Sequence, residues 1–381
     1  MSDGVSSDEP RRILFVFAWL VVGGEETEIR LLAQNLDSRR YRLEVVACFR
    51  KPNMPEQTHE QLADLGVPVD RMPYDLSFED TVDYLARKIP NYSIVVACQG
   101  VRDVYFAYEK LAERRAVLPP LIEHGGLVEE ATMMPKTFTT RYVGVCDSIR
   151  RAAARVMPER PHHAVEIPSM VDLAEFNPAD RADVRRELNI TEENLLVGWV
   201  GRLDRKKRIE DFVRAAAIVN RGFPKARFVV IGGCDAFMPE YADELKNLTR
   251  ELKLENTIQF LGDRADVLRL LAGLDVFVWL SKGEGMPHVI AEAGAARLPV
   301  VATRDNGTEE QIENSVSGLF VPHKSPPDVA DALKSLFENA ALRRRLGANL
   351  HRKVEREYSA EIVARQWETL FEKIFTEQGL N

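Results

Sequence analysis

Two carboxylates, Glu284 and Glu292, stand with seven residues between them in the stretch Glu284-Gly-Met-Pro-His-Val-Ile-Ala-Glu292. Pro287 falls where a helix would begin, a position proline tolerates because its missing N–H would be unpaired there anyway. Met286, expected at the cap position, brings no side-chain acceptor, so the amides of His288 and Val289 are expected to be open to a ligand. Such a helix start suits an anion, above all a phosphate, and the two flanking acids suit sugar hydroxyls.

A second candidate is the basic run Gly201-Arg-Leu-Asp-Arg-Lys-Lys207-Arg208, which follows the apolar segment Leu195–Val200. A guanidinium at a strand end can fork onto phosphate oxygens, and a lysine a few residues on adds a point charge. A solvated basic loop is the other reading of the same residues. A third is Val22-Gly23-Gly24-Glu25, where glycines would let the backbone approach a diphosphate. It lacks the G-x-G-x-x-G spacing of a nicotinamide fingerprint, and it is equally readable as a turn. His124, in Ile122-Glu-His-Gly-Gly126, follows a strand-like run with glycines behind it. A lone histidine of this kind is either a site residue or a satisfied structural one. Glu123 beside it is either a second polar group or the strand terminus. No nucleophile elbow, Cys–His pairing or D-x-D is present, so the chemistry expected is positional and electrostatic, with no metal and no cofactor.

Elements that would position these loops are legible along nearly the whole chain. Apolar runs alternate with amphipathic helical stretches, the pattern of parallel α/β layers. Expected strands in the first half are Ile13–Phe17, Leu43–Cys48, Val67–Met72, Ile94–Ala97, Leu121–Glu123, Tyr142–Cys146 and Ala164–Ile167. The second half offers Leu195–Val200, Arg227–Ile231, Thr257–Leu261, Val276–Leu280, Val300–Ala302 and Gly318–Val321. In the stretch Ile209–Asn220, the residues Ile209, Phe212, Val213, Ala216 and Val219 share one helical face. Residues 1–168 and 169–359 are read as two wound domains, with the segment from Ile167-Pro168-Ser169 to Phe176-Asn177-Pro178 as the linker between them. A last helix, Ala360–Glu377, has no strand after it and is expected to lie back across the first domain. The polar first ten residues are expected to be disordered.

Composition narrows the function. The 381 residues carry a net charge of −8, split evenly between residues 1–168 and the remainder, which gives a nucleic-acid partner no support. The four cysteines lie far apart with no C-x-x-C pair, which argues against zinc and disulfide frameworks and fits a cytoplasmic setting. The apolar run Ile13–Val22 is too short to span a bilayer and leads into Gly-Gly-Glu-Glu, so it reads as a buried strand.

At these residues the chain resembles the retaining glycosyltransferases of the GT-B fold, specifically the family 4 group. The E-x7-E motif of that group corresponds to Glu284 and Glu292, and its G-R-L-x-x-x-K element to Gly201, Arg202, Leu203 and Lys207. Its first-loop glycines correspond to Gly23 and Gly24, and its hinge to Ile167-Pro-Ser-Met-Val-Asp172. The stretches Asn306–Glu309 and Gly318–Pro322 are similar to the same group's second domain.

The resemblance implies two Rossmann-like doubly wound domains facing a cleft, residues 1–168 completed by 360–381 for the acceptor and 169–359 for the donor. Arg202 and Lys207 would neutralise a departing diphosphate, Glu284 would bind hydroxyls of the transferred sugar, and His124 would contact sugar or acceptor. Donor contacts would fall on Gly23, Gly24, Gly285, Met286, His288, Val289 and Glu292, with Glu292 on the ribose. The implied partners are a nucleotide-sugar donor, most readily a UDP-sugar, and a glycan, lipid or small-molecule acceptor. Peripheral contact with the inner membrane face is compatible with this. Three departures stand out: Ser169-Met170 replaces Asn-Gly, Arg208 stands where a glycine commonly follows the lysine, and Pro287 replaces a glycine. Whether Lys206 or Lys207 reaches phosphate stays open. Rival readings are a nucleotide-sugar 2-epimerase of the same architecture and a non-catalytic sugar-nucleotide sensor.

Overall fold

The computed structural model describes residues 9–51, 54–99, 101–235 and 238–379. The chain divides into two compact units, Met1–Pro168 with Ala360–Asn381, and Ser169–Ser359. Of the ten polar N-terminal residues, 1–8 lie outside the described part.

The first unit is built on a seven-stranded sheet in the order β3-β2-β1-β4-β5-β6-β7. Its strands are β1 (Arg11–Phe17), β2 (Tyr41–Ala47), β3 (Val69–Asp70), β4 (Ile94–Cys98), β5 (Leu121–Gly125), β6 (Thr139–Gly144) and β7 (Ala164–Glu166). Every pairing is parallel, with β1 in register from Arg11↔Tyr41 to Phe17↔Ala47 against β2. Continuous apolar runs in β1 and β4 are the signature of strands covered on both faces, and Ile13–Phe17 and Ile94–Cys98 are buried throughout.

Two strands differ most from expectation, and β5 runs on to Gly125, so that His124 lies within the strand and not after it. β3 shrinks to Val69–Asp70, because Met72–Asp75 coils into a 3₁₀ turn around Pro73. β6 begins three residues earlier than Tyr142, and takes in a charged residue, Arg141, that is 2% exposed. Its guanidinium is paired with Glu377 of the last helix.

That helix, Ala360–Glu377, packs in the first unit, as its apolar face requires. Val363, Ala364, Trp367, Phe371, Ile374 and Phe375 are buried, and Trp367 and Phe371 meet Phe15 and Tyr41 at ring centroid distances of 6.3 and 5.5 Å. Its outer edge is tied by Glu368 accepting from the Asp37 amide at 2.9 Å.

The second unit carries a six-stranded parallel sheet, order β10-β9-β8-β11-β12-β13. These are β8 (Leu196–Val200), β9 (Arg227–Ile231), β10 (Ile258–Phe260), β11 (Val276–Trp279), β12 (Val300–Thr303) and β13 (Gly318–Val321). The helix Ile209–Asn220 buries Ile209, Phe212, Val213, Ala216 and Val219 as its periodicity requires.

In each sheet the chain winds outward one way from the first strand and then returns to wind the other way. The winding direction reverses between β1 and β4, and between β8 and β11. Loops leaving the carboxyl ends of those strands diverge and open a crevice, where α/β sheets place ligands.

Candidate functional site

In the second unit the reversal point brings two loops of opposite charge together. After β8 the chain turns through Gly201-Arg202 into the 3₁₀ turn Arg205–Lys207, whose start is capped by Asp204 accepting from the Lys206 amide. Gly201 sits at φ 151, and a Cβ there would lie 3.1 Å from Trp199 and 3.4 Å from Trp279, so glycine alone fits between the stacked indoles. Those rings lie 5.9 Å apart at 16°. The turn directs Lys207 inward: its Nζ lies 4.8 Å over the Trp279 ring and 2.6 Å from Glu284 Oε1. Lys206 is exposed. Arg208 adopts φ 55, a left-handed conformation that explains why a glycine suits this position. Its guanidinium forks onto Asp211 at 2.9 and 3.1 Å, which offsets the strain.

After β11 the chain enters the loop that carries Glu284. Four consecutive carbonyls of this loop are held. Glu284 O accepts from Asn306 Nδ2 at 3.2 Å, Gly285 O from the Gly307 amide at 2.6 Å, Met286 O from Ser169 Oγ at 3.0 Å, and Pro287 O from Gln311 Nε2 at 3.0 Å. The Glu284 amide donates to Asp305 Oδ2 at 2.9 Å. Because each peptide is planar and trans, carbonyls held on one side turn the following amides of Gly285 and Met286 toward the other. The helix then runs His288–Ala295, and Pro287, not Met286, is its cap residue, at φ −65 and ψ 119. Pro287 is extended because its ψ lies outside the helical range, which shifts the start by one residue. No side chain caps this helix. Glu292 lies in its second turn, half-buried. His288 Nδ1 lies 3.1 Å from Met170 O. Ser169 and Met170, the departures at the hinge, thus both touch this loop.

Electrostatics single out Glu284. Burial alone would raise its carboxyl, but Lys207 and the Ser281 hydroxyl, 2.7 Å away, outweigh that and hold it below the ordinary carboxylate range. Arg202 is half-exposed and its Nη1 lies 3.3 Å from Asp235 Oδ2, a carboxylate only 4% exposed. Asp235, Asp305, Ser281, Ser169 and Gln311 were not legible as site residues. The segment Asn306–Glu309 carried a signal for its neighbourhood, whereas Asp235 had none, since its contact with Arg202 forms only when the loops after β8 and β9 meet. The backbone joins those loops through Leu203 N to Gly233 O at 2.9 Å.

The remaining expected residues lie in the first unit. Gly23 caps the helix Gly24–Asn35 in extended conformation, and Glu25 and Glu26 occupy its first turn. A Cβ on Gly23 would lie 2.6 Å from Glu26 Oε2. Two acidic side chains therefore occupy the positive end of this helix, and burial above all pushes the Glu25 carboxyl up to about 8. His124 is 3% exposed, with Nε2 3.4 Å from Glu28 Oε1 and Nδ1 3.7 Å from Glu25 Oε1. Burial pushes the imidazole down, but Glu28 above all reverses this, and the ring is held well above its usual pKa. The ring is thus enclosed and cationic. Glu123 is a structural acid: Lys136 donates to it at 2.5 Å, and Thr139 and Tyr105 at its other oxygen complete a buried network. Among the described residues no group of three or more His, Cys, Asp or Glu side chains is arranged to hold a metal, and no helix is long and apolar enough to cross a membrane.

Known proteins match this architecture. The family described as Glycosyl transferases group 1 matches residues 180–353. The chain is 32% identical over 198 residues to the D-inositol 3-phosphate glycosyltransferase of Actinosynnema mirum, covering 50% of this chain and 47% of that protein. It therefore spans about half the length of that curated relative. It is 24% identical over 311 residues to N-acetyl-alpha-D-glucosaminyl L-malate synthase of Bacillus anthracis, covering 78% of this chain and 79% of that one. Among solved structures, Anabaena HepE in complex with UDP and glucose superimposes with a TM-score of 0.83 over 95% of this chain and 100% of that one, at 19% identity. At that identity the likeness is one of fold. Residues 180–353, most of the second unit, match the glycosyl transferases group 1 family, and the two parallel-sheet units have the GT-B fold.

Proposed function

We propose that this protein is a glycosyltransferase that takes a hexose from a UDP-sugar and transfers it with retention of anomeric configuration. The observation that carries the reading is the Lys207–Glu284 pair, 2.6 Å long, which joins the basic loop after β8 to the pinned loop after β11 at the reversal point of the sheet.

In this reading Arg202 and Lys207 neutralise the charge that builds on the departing diphosphate. The turned amides of Gly285 and Met286 and the uncapped start at His288 and Val289 add donors that need no reorganisation. Glu292 accepts from ribose hydroxyls. Glu284, kept ionised by Lys207, accepts from hydroxyls of the transferred sugar, and Asp235 fixes the direction of the Arg202 guanidinium. The names of the similar proteins support a sugar-nucleotide donor, and the UDP and glucose of the HepE complex support the base and sugar class.

The test is a calorimetric and turnover screen against UDP-, GDP- and ADP-sugars with a broad acceptor panel. The reading expects binding of a UDP-sugar, formation of a glycoside with the donor's anomeric configuration, and loss of donor affinity in Glu292→Ala. A protein that binds none of the nucleotide sugars sinks it. Isomerised free donor would make the protein an epimerase instead.

A further inference from the structure

The outer edge of the first sheet carries an open groove of about 310 Å³ that the donor reading does not use. It lies beside β3, the outermost strand and two places from β1, away from the reversal point between β1 and β4. The helix Gln57–Asp64 ends there, and Gly66, at φ 72, turns the chain back into β3. Ala63, Val67, Pro68 and Val69 form an apolar wall, and His59 and Arg71 are the polar lining. His59 is 1% exposed, and its Nδ1 has no hydrogen-bond partner. Burial above all, then the charge of Arg71, pushes the imidazole down to about 4, so near neutral pH the ring is uncharged. The Tyr74 hydroxyl lies 2.5 Å from Nε2, and Glu56 Oε2 lies 3.5 Å from Nδ1. A bare lone pair on Nδ1 would face that carboxylate, so the proton sits on Nδ1 and Tyr74 donates to Nε2. The ring thus presents an unpaired N–H. Glu56 is itself shared, with Arg50 2.7 Å from its Oε1 and Arg71 3.2 Å from its Oε2. Two guanidiniums against one carboxylate leave this cluster one positive charge in excess.

We propose that this groove is a binding site for a small organic monoanion, a carboxylate carried on a compact apolar body. The site is independent of the glycosyltransferase reading. Arg71 has 50% of its side chain exposed and turns Nη2 toward Glu56. Its remaining N–H groups, with the His59 Nδ1–H, can receive the oxygens of a carboxylate. One surplus charge suits a monoanion, whereas a phosphate dianion would bring a second negative charge beside Glu56. The wall of Ala63, Val67, Pro68 and Val69 offers the body no side-chain hydrogen bond, so hydroxyls placed there would lose their water without replacement. The volume stands at the lower end of the roughly 300–1,000 Å³ range of ligand pockets, room for a ring of benzoate size.

The experiment compares benzoate, benzyl alcohol and phenyl phosphate on the full chain by saturation-transfer NMR and calorimetry, three probes that share a ring and differ in the head. Benzoate is expected to bind at least tenfold more tightly than either of the others. Ala63→Phe, at an exposed helix position, should fill the groove and abolish benzoate binding. Arg71→Gln should weaken benzoate tenfold or more. The far-ultraviolet circular dichroism spectrum should be unchanged in both variants, which separates a lost site from a lost fold. Equal binding of benzoate and benzyl alcohol, tighter binding of phenyl phosphate, binding of none of the three, or benzoate affinity that survives Ala63→Phe overturns the proposal.

Discussion

The Lys207 ammonium lies 2.6 Å from Oε1 of Glu284, a residue 77 positions later in the chain. This contact, made by Lys207 and not by Lys206, keeps the acid ionised and joins the two loops that flank the reversal of the second sheet. On the proposed function, an incoming diphosphate would meet a cation already oriented by an acid and by the face of Trp279, so little reorganisation would remain when charge develops.

Lys207→Ala should lower turnover by roughly 10²–10³, the scale of losing one preorganised charge partner. It should also destabilise the fold by about 1–3 kcal/mol, since the half-buried Glu284 loses its cation. The exposed Lys206→Ala should shift stability by no more than about 0.5 kcal/mol and leave turnover near wild type. Denaturant titration and initial rates measure both. A larger turnover loss for Lys206→Ala would reverse the assignment.

The acid limb of the stability curve carries the signature of Glu284. Its folded pKa lies below the ordinary 4.5, so its contribution is present above pH 4.5 and disappears as pH falls through the folded value. Glu284→Gln should therefore lose less stability than wild type on acidification below pH 4.5. Melting temperatures across pH 3 to 6 test this, and parallel curves for the two proteins would refute it.

Gly307→Ala acts on the donor loop through its backbone. The added Cβ would collide with Gly285 O and come within 2.6 Å of Met286 Cα. The loop must move, and with it the amides assigned to the diphosphate. UDP affinity should fall roughly tenfold or more, about 1.4 kcal/mol, with the far-ultraviolet circular dichroism spectrum preserved. Unchanged affinity in calorimetry would mean that these amides do not bind the nucleotide.

Lys136→Met probes a purely structural pair. Glu123 is fully buried, and burial holds its carboxyl above the usual range even beside Lys136. Removing the cation should cost about 3–5 kcal/mol near neutral pH, less in acid as the carboxyl protonates. Adding Glu123→Gln to the same chain should recover part of the loss. UDP affinity, which the proposed function assigns to the other unit, should not change.

Much of this molecule was written in local pattern. Thirteen expected strands correspond to β1 through β13, because a strand buried on both faces needs an unbroken apolar run and such runs are visible one at a time. The exceptions are instructive: Arg141 hid the start of β6 because its partner, Glu377, lies 236 residues away. Pro287 misled the helix start by a single residue because ψ at a proline is not determined by its ring.

The order of residues determined that Glu284 and Glu292 share one loop and helix, and that Arg202 and Lys207 share one turn, since those relations span only a few peptide units. Which loops became neighbours was decided by the sheets. Parallel pairing sets β8 between β9 and β11 and β1 beside β4, and only then does Lys207 find Glu284, Arg202 find Asp235, and Gln99 stand by Glu25. Side-chain periodicity records what a segment buries, whereas contacts across many tens of residues depend on strand order, which no local pattern contains.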